Sequence, residues 1–334
     1  DPVKATGGKP VALAWFSPGC RNCYAQRLAG TRLKNTARYQ GLTTDSKRGP
    51  VWTGGVRCHE DLLQKPLGWK KPRAVFVCDM GDLFHEQVPD DFLDRVFAVM
   101  ALRPDHIFMV LTKRAERMRG YVSSGRATAV GMAALEMVFD DHKRDSRSTI
   151  GAGVVLTGDI AHLKAWPLPN VWLGVSAEDQ ARADERIPLL LDTPAAVRFV
   201  SAEPLLGPVS LFDYIRLDGP QGSLQAPPML DWVIGGGESG PGARPMRPDW
   251  ARGLRDASGR AGAPFFFKQW GEYAPGRVSS DGDTVWFTPD EKRLTQFMAG
   301  NPHHKHPEDK TDRENMDFES SLEIFDADTA WGCE

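Results

Sequence analysis

Seven short apolar runs punctuate the chain: Val11–Phe16, Ala74–Val77, Ile107–Leu111, Val171–Val175, Val197–Val200, Trp232–Ile234 and Pro264–Phe267. Most are unbroken rather than alternating, which suits strands buried on both faces, as in a parallel sheet. A weaker segment, Gly151–Leu156, is a candidate eighth strand. Helical patterns lie between the runs. Pro89-Asp90-Asp91 reads as a helix start, and Phe92, Val96, Val99 and Met100 then fall on one face. Gln180–Leu191 is a second helix, interrupted or bent at Pro188. Pro248–Ala261 is a third, with Trp250, Leu254 and Ala257 on one stripe and Gly262 as its C-cap.

Strands alternating with helices imply βαβ units. Seven or eight of them predict an α/β fold, a complete or partial TIM-like (β/α) barrel with parallel strands. The alternative is an open doubly wound sheet. The barrel domain is expected over 1–273, with a helical insertion around 120–168. Residues 274–334, polar and carrying His303, His304 and His306, read as a partly flexible C-terminal extension.

In parallel α/β folds chemistry gathers beyond the carboxyl ends of the strands, and here those ends are polar. The first run leads into Ser17-Pro18-Gly19-Cys20-Arg21-Asn22-Cys23-Tyr24, the second into Cys78-Asp79-Met80-Gly81-Asp82, then His85 and Glu86. Later runs lead into Lys113-Arg114, Ser176-Ala177-Glu178, Ser201-Ala202-Glu203, Gly235-Gly236-Gly237-Glu238 and Lys268-Gln269. One such end means little, because loops are polar anyway. A ring of them is what a polar substrate or cofactor needs. The Cys20-x-x-Cys23 pair in a Pro-Gly loop points to metal or redox chemistry. Cys78 by itself also suits a small buried residue, and Asp79, Asp82 and His85 also suit capping and solvated positions. The glycines before Glu238 allow close backbone approach to a cofactor, although a tight turn needs glycine too.

Composition narrows the classes. The chain has 334 residues, 25% of them charged, with a formal net charge of -3, so no whole-protein field favours nucleic acid. A local basic patch of Arg114, Arg117, Arg119 and the Lys70-Lys71-Arg73 run beside Trp69 keeps nucleic-acid or partner binding as an alternative. No apolar run reaches membrane-spanning length, and no secretory pattern opens the sequence. Five cysteines, odd in number and sparse, predict a reducing, cytoplasmic compartment rather than a disulfide framework.

Several segments carry a family resemblance: Ser17–Ala25, Pro66–Pro72, Asp82–Glu86, Leu111–Arg114, Pro169–Ser176, Ser201–Gly207, Gly236–Pro245 and Phe266–Glu272. Together they resemble a phage and bacterial family named after the phage proteins gp thirty-seven and gp sixty-eight. That family in turn resembles radical S-adenosylmethionine enzymes, with cysteines ahead of a barrel-like body. The resemblance implies a [4Fe–4S] cluster on three thiolates, S-adenosylmethionine on the open iron site, and a three-Cys-motif partner protein. It marks Cys20 and Cys23 as metal ligands. The family's earlier cysteine falls on Leu13, which cannot ligate iron, so Cys78 is the expected third thiolate or the site is degenerate. Gly236, Gly237 and Glu238 are the expected cofactor turn, and Lys113, Glu203 and Lys268 the charges expected to touch substrate. A barrel hydrolase or lyase with one metal on Asp79, Asp82, His85 and Glu203 is the other enzymatic alternative.

Overall fold

The structure is a computed structural model that describes residues 17–47, 49–144, 165–212, 214, 229–278, 284–287 and 295–297. The expected strands Val11–Phe16 and Gly151–Leu156 and the three histidines near residue 304 lie outside those residues.

After a single turn at Pro18–Cys20, helix α1 (Tyr24–Gly30) packs on an antiparallel hairpin, β1 (Thr43–Ser46) and β2 (Gly49–Trp52). The apolar pattern gave no sign of this hairpin, because β1 is Thr-Thr-Asp-Ser and mostly exposed. Helix and hairpin meet closely at Gly30, where a Cβ would lie 2.6 Å from Cγ of Pro50.

Six strands then build the main sheet: β3 (Ala74–Val77), β4 (Ile107–Thr112), β5 (Val171–Ser176), β6 (Val197–Ala202), β7 (Trp232–Gly236) and β8 (Phe265–Gln269). All neighbours are parallel and the spatial order follows the chain order from β3 to β8. A doubly wound sheet reverses its order at a switch point. An order that never reverses, with crossovers of one hand, keeps the helices on one side. The sheet accordingly curls into a half-barrel flanked by helices.

Its outer face is covered. Val75, Val77, Phe108, Val110, Leu173, Val175, Val200 and Val233 share one core with α2 (Glu60–Leu63), α3 (Asp90–Leu102), α4 (Ala115–Ser123), α6 (Gln180–Leu191) and α7 (Pro248–Arg260). Full burial of one such side chain contributes about 1.5–3 kcal/mol. The expected stripe of Phe92, Val96, Val99 and Met100 on α3 is fully sequestered there. Helix α5 (Ala127–Arg144), inside the expected insertion, packs against α3. Just before it, Arg126 binds the carboxylate of Asp94 on α3, which also accepts from the Tyr121 hydroxyl at 3.0 Å.

Pro188 does not interrupt α6. The helix starts at Asp179, whose side chain accepts from the Arg182 amide at 2.9 Å, and runs to Leu191, Pro188 included. Proline removes one donor without ending a helix that already packs, with Ala183, Ile187 and Leu190 buried. Helix α7 stops as the sequence predicts. Gly262 takes φ +70°, the Ala263 amide donates to the Ser258 carbonyl and the Gly262 amide to that of Gly259.

Beyond β8 the chain does not simply trail away. Strands β9 (Ala274–Val278), β10 (Thr284–Phe287) and β11 (Thr295–Phe297) form a small antiparallel sheet within the stretch read from sequence as an extension.

Candidate active site at the mouth of the half-barrel

Side chains alternate across a strand, so every second residue faces the inside of the curl. Met109, Leu111, Trp172, Phe199, Trp232, Ile234 and Phe266 form that inner cluster, separate from the helix-covered core. Trp232 is its hub, with ring centroids 5.8 Å from Phe199, 6.0 Å from Trp172 and 6.3 Å from Phe266. Gly174 makes room for the Phe199 ring, since a Cβ there would lie 2.5 Å from it. Continuing the same alternation towards the carboxyl ends gives Lys113, Ser176, Ser201, Gly236 and Lys268. The sheet thus carries an aromatic floor with a polar row above it.

The row is built from two lysine–glutamate pairs. Lys113, after β4, reaches across to β5: its Nζ lies 3.2 Å from the Ser176 Oγ and 3.4 Å from Glu178 Oε1. Lys268, on β8, reaches back to β6: its Nζ lies 3.3 Å from Glu203 Oε1, and Ser201 Oγ donates to Glu203 Oε2 at 3.0 Å. Ser176 and Ser201 are register partners on adjacent strands. Both lysine heads therefore lean in towards β5 and β6 from opposite flanks.

Glu178 is fully buried and takes more than Lys113. Arg186 of α6, also buried, donates to Glu178 Oε2 at 3.1 Å and to the Ser176 carbonyl at 2.9 Å, and the Ser17 hydroxyl donates to Glu178 Oε1. Burial pushes this carboxyl up, but Lys113, Arg186 and Ser17 outweigh it and hold it below the ordinary carboxylate range.

The cysteine loop 17–24 is fastened across these strand ends. Ser17 anchors it to Glu178, and Gly19 passes so near that a Cβ would lie 2.6 Å from Glu178 Oε1. Asn22 donates to Glu238 at 3.1 Å and to the Gly242 carbonyl at 2.7 Å. Arg244 donates to the Pro18 carbonyl at 3.0 Å, and the Tyr24 hydroxyl to the Asp79 carbonyl at 2.8 Å. Burial pushes the Cys20 thiol up, against the pull of Lys113, so it stays protonated more than a free thiol would.

Several expected site residues have other work. The carboxylate of Glu238 is held by Arg244 through both oxygens, at 2.6 and 2.8 Å, and by the Arg244 amide at 2.9 Å, which keeps it ionised despite burial. It is occupied by the protein rather than turned to a cofactor. Gly237 lies against the Trp270 carbonyl, and a Cβ on Gly236 would lie 2.7 Å from Glu203 Oε1. These glycines are explained by the packing of β7 on β8 and on Glu203. Cys78 is buried directly after β3 with φ +57°, a left-handed turn uncommon for a side-chain-bearing residue. Among the described residues no three His, Cys, Asp or Glu side chains converge as a metal-ligand group. Cys20, Cys23 and Cys78 are therefore not assembled as a three-thiolate set, nor are Asp79, Asp82, His85 and Glu203 as a one-metal site.

Asp82 instead accepts from Thr112 at 2.6 Å, from the Lys113 amide at 3.1 Å and from Arg114 at 3.1 Å, which fixes the turn that aims Lys113. Arg114 also binds Glu86, Arg117 binds Asp90, and Arg119 lies 3.5 Å from Asp192. Three arginines of the expected basic patch, Arg114, Arg117 and Arg119, are thus paired with carboxylates within the protein, and Arg73 lies over the Trp69 ring at 4.8 Å. Burial, then Arg114, lowers the His85 imidazole below its ordinary value.

Residues 12–314 match the family described as a protein of unknown function, DUF5131. The chain belongs to that family. No curated protein and no solved structure matches it. None of the described helices is long and apolar enough to cross a membrane.

In this member of DUF5131, the polar strand ends of the sequence contain Ser17, Asn22, Lys113, Glu203 and Lys268, whereas Arg186 and Arg244, which meet them in the structure, lie outside those ends. A signal for Glu178 was present: Ser-Ala-Glu occurs at the ends of both β5 and β6, at 176–178 and 201–203. Arg186 carried none, since one arginine on an amphipathic helix reads as surface.

Proposed function

We propose that this chain is a half-barrel enzyme on the radical S-adenosylmethionine-like plan, degenerate at its cysteine loop, with its active site at the mouth of the half-barrel. The observation that carries the reading is the attachment of loop 17–24 to the strand ends through Glu178, Glu238 and Asp79. It puts the Cys20 thiol close to Lys113 and Glu178, with Cys23 next to Cys20, above an inner apolar cluster made of strand residues. The kinship with the phage family and with radical enzymes rests on the resemblance of motifs.

The described residues do not fit a three-thiolate cluster. Soft iron–sulfur ligation needs a third cysteine; Leu13 replaces it, and Cys78 does not converge with the pair. Cys20 and Cys23 therefore form a two-thiolate site rather than part of a cluster. The Gly236–Glu238 turn, closed by Arg244 and Trp270, is removed from the cofactor site in the same reading.

The test is anaerobic reconstitution with iron and sulfide, reading metal, sulfide and visible absorption for the native protein and for Cys20→Ala/Cys23→Ala. Metal bound by the native protein and lost in the variant supports the two-thiolate site, and sulfide bound with it would overturn the absence of a cluster. Equal uptake by both, or none by either, removes the cysteine site and leaves a barrel with other chemistry.

A further inference from the structure

We propose that the polar row at the mouth binds the anionic group of the substrate, a carboxylate or a phosphate held between Lys113 and Lys268 over the hydroxyls of Ser176 and Ser201. The inference deepens the active-site reading and rests on it.

Charge carries the first part. Arg186 and Ser17 already serve Glu178 from behind and above, at closer range than Lys113 does. Ser201 likewise serves Glu203. Glu178 by itself faces two cations, Lys113 and Arg186, so its pairing does not need the Lys113 charge. An ammonium has three donors; Lys113 makes two contacts and Lys268 one. Both ion pairs are longer than the 2.7–2.9 Å of a tight charge-assisted bond, as expected of heads that can turn to a better acceptor.

Position carries the second part. The lysines come from strands on either side, yet their heads are drawn over two adjacent strands whose serines are register partners. The side chain of Lys268 is 50% exposed and that of Lys113 23%, so the row is reachable. Directly below the two lysines lie Leu111 and Phe266, partly exposed members of the inner cluster, which give a substrate's apolar or ring portion a surface to rest on.

The experiment is a fluorescence titration of the full chain, with Trp172 and Trp232 as reporters on the same face. Inorganic phosphate and acetate are the probes, at ionic strength held constant. A saturable millimolar response is expected, and the stronger of the two anions identifies the group. Lys113→Gln and Lys268→Gln should each weaken it at least tenfold, and Lys268→Arg should keep it. Lys268 is half exposed, so its variants fold even where a Lys113 variant does not. No saturable response to either anion, or an unchanged midpoint in Lys268→Gln, overturns the proposal. Neither iron nor S-adenosylmethionine enters this titration. Its failure is therefore separate from failure of the cysteine site, which the reconstitution reads.

Discussion

The Ser17 hydroxyl donates to the Glu178 carboxylate, joining the start of the cysteine loop to the end of β5. Glu178 is fully buried and is the shared acceptor of Ser17, Lys113 and Arg186. Removing it strands a buried guanidinium. Glu178→Ala is expected to cost about 3–5 kcal/mol, as breaking a buried pair does, with Glu178→Gln costing less because it keeps the hydrogen bonds' acceptor. Urea unfolding midpoints of the two variants test this, and equal stability of Glu178→Ala and the native chain would refute it.

Acid should weaken the same site. The carboxyls of Glu178 and Glu238 are both held below their ordinary value of 4.5 in the folded protein. The unfolded chain therefore takes up protons first. Their stabilisation is complete above the ordinary value and is lost as the pH falls from it through the folded values. Denaturant midpoints measured from neutral pH downward should fall below that point, and the fall should be shallower in Glu178→Gln.

Gly237 and Gly236 should separate under substitution by alanine. At Gly237 the new Cβ meets the Trp270 carbonyl, which is backbone and cannot swing away. A loss of about 1–3 kcal/mol or more is expected, as for an overpacked site. At Gly236 it meets the end of a Glu203 side chain, which can turn. Gly236→Ala should thus keep its thermal midpoint closer to native while disturbing the Glu203–Lys268 pair.

Gly174→Ala tests the aromatic floor. Its Cβ would press on the fully buried Phe199 ring, which stacks near Trp232. About 1–3 kcal/mol of destabilisation is expected, together with a changed tryptophan emission. An emission spectrum identical to native, at unchanged stability, would count against the packing described.

Six of the seven strands expected from apolar runs lie in the half-barrel, each within two residues of its expected ends; Val11–Phe16 falls outside the described residues. They were legible because a strand buried on both faces is an unbroken apolar run, whatever its neighbours. Polar strand ends were legible for the converse reason, and they gave Lys113, Glu203 and Lys268. The β1–β2 hairpin was not, because its polar residues hold position through contact with α1 rather than through a pattern of their own.

What the sequence by itself determined is the strand set, the helix ends at Pro89 and Gly262, and the chemistry available at the mouth. Only the tertiary structure decided which partners those groups take. Strand order separated a half-barrel from a doubly wound sheet, since order in space is a property of pairing and not of any one run. It turned Glu238 inward to Arg244 and explained Gly236 and Gly237 by packing. It also set Lys113 beside Ser176 and Glu178, and Lys268 beside Glu203. Residues far apart in the chain choose one another by distance and burial, and neither is written in local sequence.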